Sequence, residues 1–164
     1  MAVYYLEASA LMKLYKSEAG SDIVTELVRN KATDETFVTS HLTIFEISSS
    51  SARLLKNGEI TQARYSMIVG TLAEDLNRYA IIVLPLQSAL VTEALALLPD
   101  YPLRAGDALH VATARRLQEA LDDEAMYVVV ADKRISETCA AIDLSQLNPE
   151  TPGASKLLSR IRGE

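Results

Sequence analysis

Four carboxylates stand where short apolar runs end or helical segments begin. Glu7 directly follows Val3-Tyr4-Tyr5-Leu6, and Asp132 follows an apolar run that closes on Val130-Ala131. Glu46 lies within Thr43-Ile44-Phe45-Glu46-Ile47, and Asp107 within Arg104-Ala105-Gly106-Asp107-Ala108-Leu109-His110. Acids in such apolar company are seldom fully buried unless paired or bound to a cation. Brought within about 5 Å, each pair would repel by roughly 3 kcal/mol at an effective dielectric of 20. A divalent cation offsets that repulsion, and oxygen donors suit Mg²⁺ or Mn²⁺. Such a centre lowers the pKa of a bound water and neutralises charge on a phosphate. Each acid also has a plainer reading. Glu7 and Asp132 can cap helices, Glu46 can be a helix surface acid, and Asp107 can pair with His110. Both His41 and His110 read first as packing or hydrogen-bonding residues. Spacing alone does not bring the acids together; that depends on the fold.

The elements that must position them alternate in type. Val3–Leu6, Thr36–Thr39, Ala80–Leu84 and Met126–Val130 read as strands. The last two are continuous apolar runs, the pattern of strands buried on both faces of a parallel sheet. Helical periodicity fills the gaps. One stripe carries Ile23, Leu27 and Val28, and a second carries Ile44, Ile47, Leu54 and Leu55 before Asn57-Gly58. Further helices run over about Ile60–Leu76, around Leu90–Leu98 up to Pro99, and through Leu109, Ala112 and Leu117. This alternation predicts an α/β fold, a three-layer α/β/α sandwich around a central parallel sheet. In open sheets of this kind ligands collect beyond the carboxyl ends of the strands. The body is expected over residues 1–148. Residues 149–164 form a C-terminal tail, expected on the surface, with a short helix running toward Arg160, Arg162 and Glu164.

Composition narrows the chemistry. The 164 residues are 49% hydrophobic and 23% charged, which excludes wholesale disorder. Cys139 is the only cysteine, so no internal disulfide forms, and with two histidines it builds no Cys/His zinc site. The net charge of −6 disfavours non-specific nucleic-acid binding, so local basic groups would have to attract phosphates. The Ser48–Ser51 run lacks nucleophile-elbow glycines, and no phosphate-loop or dinucleotide pattern occurs. The most apolar window, residues 80–99, is broken by Pro85, Gln87, Ser88 and Glu93, so no membrane span is expected. The expected setting is the cytoplasm.

Five blocks in order carry a family resemblance. Tyr5-Leu6-Glu7-Ala8-Ser9-Ala10-Leu11-Met12-Lys13-Leu14-Tyr15 resembles the opening of PIN-domain proteins of the VapC toxin type. Thr39-Ser40-His41-Leu42-Thr43-Ile44-Phe45-Glu46 resembles the second block, and residues 103–114, Leu-Arg-Ala-Gly-Asp-Ala-Leu-His-Val-Ala-Thr-Ala, the third. Val129-Val130-Ala131-Asp132-Lys133-Arg134-Ile135 is similar to the fourth, and Leu147-Asn148-Pro149 to the closing strand. The resemblance implies a PIN-like domain over 1–148 and Mg²⁺- or Mn²⁺-dependent cleavage of RNA, often transfer or ribosomal RNA. It also implies a partner antitoxin (VapB-like) and a homodimer. Carried over by position, Glu7, Glu46, Asp107 and Asp132 form the acidic, metal-holding cluster. Asp107 and Glu7 are expected nearest the metal, and Ser9 takes the family's hydroxyl position. Arg104, Lys133 and Arg134 are expected, with Ser9, on the substrate side. The antitoxin is expected to lay an amphipathic segment into a groove walled by the helices at 23–28 and 60–76.

Two positions depart from the pattern. The first acid is Glu7 where the family has aspartate, and Val130 stands where a threonine or serine is common. An extra methylene moves a carboxylate by over an ångström, and misplacement on that scale can cost about a hundredfold in rate. The alternative reading is therefore a catalytically weakened or inactive PIN-like module that binds RNA or protein.

Overall fold

The computed structural model describes residues 1–121 and 124–163, so Glu164 lies outside them. Strands β1 (Ala2–Leu6), β2 (Glu35–Ser40), β3 (Ile82–Leu84), β4 (Ala125–Val129) and β5 (Gln146–Leu147) form one sheet in the order β3-β2-β1-β4-β5. Every pairing is parallel. The described residues also form eight α-helices: α1 (Ala8–Leu11), α2 (Ser21–Arg29), α3 (His41–Lys56), α4 (Gln62–Arg78), α5 (Ser88–Leu97), α6 (Ala105–Ala120), α7 (Lys133–Ala141) and α8 (Ala154–Arg162). A 3₁₀ turn, Met12–Leu14, extends α1.

The sandwich is legible along β1, whose side chains alternate between two cores. Tyr4 and Leu6 join Leu27 of α2, Ile47 of α3, Leu72 of α4 and Leu158 of α8. Val3 and Tyr5 join Leu90 of α5, Val111 of α6 and Ile135 of α7. With both faces covered, β1 is the central strand, and the expected three-layer α/β/α fold is the observed one. From β1 the chain lays β2 and β3 on one side, then returns to add β4 and β5 on the other. Strand order reverses between β1 and β4, where doubly wound sheets open a crevice at their carboxyl ends. The two ends are pinned together there: the Glu7 N–H donates to the Val129 carbonyl at 3.1 Å.

Two expectations differ from the structure. The run at 80–84 does not make a strand buried on both faces. Ala80 takes a left-handed turn (φ 49°), so β3 starts at Ile82, and as an edge strand it leaves Ile82 51% exposed. The helices at 23–28 and 60–76 form as α2 and α4, and their Leu27, Val28, Ile68 and Leu72 face the core. The tail is not a surface appendage either. Its α8 buries Ala154 and Leu158. Arg162 forks onto Glu35 with two hydrogen bonds of 2.9 Å, and Lys13, its side chain 1% exposed, bridges Glu150 at 2.7 Å and Glu18 at 3.0 Å.

Candidate functional site

Glu7 is the first residue past β1, in extended backbone, and its carboxylate caps α1. Oε2 accepts from the Ser9 N–H at 2.9 Å and from the Ser9 hydroxyl. The Ser9 Oγ in turn accepts the N–H groups of Ala131 and Asp132, each at 2.9 Å. One hydroxyl therefore joins the carboxyl end of β1 to the loop after β4. Burial, the largest influence, pushes the Glu7 carboxyl above its ordinary range, with His110 and Ser9 pulling the other way.

Glu46 reaches the same place from the second turn of α3. Ser40 ends β2 and caps that helix, its Oγ accepting the Thr43 N–H, which sets the helix start and hence the direction of Glu46. From α6, His110 closes the group. Its Nε2 lies 2.8 Å from Glu46 Oε2 and 3.7 Å from Glu7 Oε1. Its Nδ1 lies 2.8 Å from the Tyr5 hydroxyl, which also donates to Ser40. His110 is 1% exposed. Burial lowers its pKa, but the hydrogen bond to Glu46 and the charges of Glu7, Glu46 and Asp107 outweigh that and hold it above the ordinary value. Glu7, Glu46 and His110 each offer one ligand atom, and these lie within 4.8 Å of one another. Two carboxylate oxygens and an imidazole nitrogen are donors that fit Mn²⁺, and less selectively Mg²⁺.

The other predicted residues lie around this group in distinct ways. Asp107 stands one helical turn before His110, and its Oδ2 accepts the Arg104 N–H at 3.0 Å, so it also caps α6. Asp132 caps α7 through Oδ1, which accepts from Arg134 and Ile135. Asp132 lines an open cleft of about 630 Å³ together with Ser9, Phe45, Glu46, Arg53 and Arg104. Lys16 stands on the same cleft. Lys133 is exposed and 3.6 Å from Glu137, while Arg134 is partly buried. The cleft runs along α1 and α3, with Arg104, Ala131 and Asp132 also lining it. Sequence reasoning placed His110 outside the chemistry; its one signal is the Asp107-x-x-His110 spacing, which sets both on one helix face. His41 is exposed. Cys139 is buried in α7, and burial with the charge of Glu7 pushes its thiol up to about 12, which leaves no thiolate near neutral pH. Among the described residues no helix is long and apolar enough to cross a membrane.

The switch point brings Glu7 and Glu46 together with His110, while Asp107 and Asp132 stand outside that group as caps of α6 and α7. The five-stranded parallel sheet between helical layers is the architecture of a PIN domain. The PIN domain family model matches residues 4–141, and the chain belongs to that family. It is 30% identical over 145 residues to ribonuclease VapC35 of Mycobacterium tuberculosis, covering 88% of this chain and 96% of that one. Among solved structures it resembles VapBC-1 from nontypeable Haemophilus influenzae, with a TM-score of 0.60 and 16% identity over 91% of this chain and 99% of that one. It also resembles VapC20 of M. tuberculosis, a sarcin-ricin loop cleaving toxin, with a TM-score of 0.58 and 16% identity over 82% and 94%. A toxin-antitoxin complex from Klebsiella pneumoniae gives a TM-score of 0.55 at 14% identity over 89% and 97%. The structural neighbours share this fold.

Proposed function

We propose that this protein is a metal-dependent ribonuclease that hydrolyses RNA phosphodiester bonds as the toxin of a toxin–antitoxin pair. The observation that carries the reading is the convergence of Glu7, Glu46 and His110 within 4.8 Å at the sheet's switch point, beside a cleft with basic residues. These three residues supply the donors for Mg²⁺ or Mn²⁺, with Asp107 and Asp132 completing the site at its rim. When bound, the ion lowers the pKa of a water and neutralises charge on the phosphate. Arg104, Arg53 and Lys16 draw the RNA backbone into the cleft despite the net charge of −6. Lys133 and Arg134 extend that surface at the start of α7. Asp132 stands at the cleft to take the proton of the attacking water as the water oxygen bonds to phosphorus and the ester bond breaks. Ser9, with its hydroxyl committed to Glu7 and two backbone amides, holds the acids in place and is a positioning residue.

The substrate class is transfer or ribosomal RNA in the cytoplasm, and the partner is an antitoxin that brings a basic side chain to the acids. The names of VapBC-1 and of the K. pneumoniae complex support that partner. Val91, Leu95 and Leu98, on one helical face of α5 and its cap, are exposed apolar side chains that suit a homodimer. The purified protein should cleave bulk transfer or ribosomal RNA with Mn²⁺ or Mg²⁺ and stop when the ion is chelated. Asp107→Ala should lower the rate at least a hundredfold. Intact RNA under every metal condition would count against the reading. One feature favours the weakened-site alternative: Glu7 replaces a shorter acid and has one oxygen taken up by Ser9. Faster cleavage by Glu7→Asp would identify a weakened nuclease, and no cleavage by either form a binding module.

A further inference from the structure

Gly106 is the second residue of α6, one helical turn before His110. Its backbone does not call for glycine, since the positive-φ glycines are Gly20, Gly58 and Gly163. Nor is glycine favoured at a helical position on propensity, where alanine is better. The missing side chain has another use. A Cβ at Gly106 would lie 2.7 Å from Glu46 Oε1 and 4.0 Å from its Cδ, well inside van der Waals contact for the oxygen. Those are the contacts such a Cβ would make, and the nearer is the far end of a flexible side chain. The other carboxylate oxygen of Glu46 is 2.8 Å from His110 Nε2. The carboxylate therefore rests on α6 at two points four residues apart, one of them a hollow and the other a hydrogen bond.

We propose that Gly106 is a positioning residue for the metal centre: the space it leaves on α6 is what lets the Glu46 carboxylate reach Glu7 and His110. The inference rests on the reading of this cluster as a metal site, but its geometry can be tested without metal. Gly106→Ala should displace only the carboxylate, so the melting temperature should equal or exceed that of the unmodified chain. Mn²⁺ binding, followed by calorimetry, should weaken on the order of tenfold, as for other changes to residues that orient ligands.

The deciding measurement is the imidazole ring signals of His110 by NMR in metal-free protein, with His41→Gln removing the other histidine. Gly106→Ala should move these signals in the direction that Glu46→Ala moves them. Added to Glu46→Ala, it should move them no further, because no carboxylate remains to displace. Unmoved signals, an equal shift in both backgrounds, or a marked fall in melting temperature would overturn the proposal. If the unmodified chain binds no Mn²⁺, the metal reading fails while the His110 signals still decide the role of Gly106.

Discussion

Ser9 joins three groups from two parts of the chain: the Glu7 carboxylate, and the amides of Ala131 and Asp132. Removing its hydroxyl leaves two backbone donors without a partner and takes one of two hydrogen bonds from Glu7 Oε2, and each buried unsatisfied group costs about 1–3 kcal/mol. Ser9→Ala should therefore lower unfolding stability in urea by about 2 kcal/mol, with Ser9→Thr retaining most of it. Equal stability of all three proteins would show that the bridge contributes nothing. At this scale Glu7 and Glu46, two of the three residues that converge, were legible in advance. Glu7 and Asp132 follow apolar runs, and Glu46 and Asp107 sit in apolar sequence, each odd enough to mark. What could not be read was the partner of each group. Ser9 meets residues 122 and 123 positions away, and His110 meets Glu46 across 64. An i, i+3 spacing within one helix fits a structural pair as well as a site residue, so His110 stood with the packing residues.

Helix α3 carries Glu46 because β2 ends at Ser40 and the helix begins at the next residue. Ser40 accepts the Thr43 N–H at 3.3 Å and receives the Tyr5 hydroxyl, so one side chain both starts the helix and braces the His110 network. Ser40→Ala should cost about 1 kcal/mol of stability, the usual worth of such a cap. It should also reduce Mn²⁺ affinity, which Ser40→Thr should largely preserve; an unchanged melting curve and affinity would remove the cap from the account. Most elements were readable from periodicity, with the end of α3 marked by Asn57-Gly58. The exception is instructive. The run at 80–84 has the composition of a central strand, but neighbours decide burial, and β3 has one only on its β2 side. Composition records how apolar a strand is, not its place in the sheet.

Across the whole molecule the tail closes the fold. Arg162 and Glu35 have side chains 7% and 2% exposed, and Tyr4 adds a third hydrogen bond to Glu35. Burial alone would raise the Glu35 pKa, but the hydrogen bonds from Arg162 and the Ala32 N–H, with the charge of Arg162, hold it below 4.5. A carboxyl depressed in the folded state adds stability that is full above its unfolded value and is lost as the pH falls through the folded one. Arg162→Met strands a buried carboxylate and should cost about 3–5 kcal/mol at pH 7. That deficit should narrow as the pH falls toward and below 4.5, and a pH-independent deficit in urea unfolding would argue against the ion pair as its source. The tail was hard to place because its prolines and Gly153 read as surface chain, whereas Leu157, Leu158 and Ile161 find the core only once α2 and β5 are in position. The proposed activity depends on a metal ion at Glu7, Glu46 and His110, and calorimetric titration with Mn²⁺ can probe it by comparing the unmodified chain with the near-isosteric Glu46→Gln. The prediction is one ion per chain with a dissociation constant of about a millimolar or tighter, weakened at least tenfold in Glu46→Gln. No binding, or equal binding by both proteins, would contradict it.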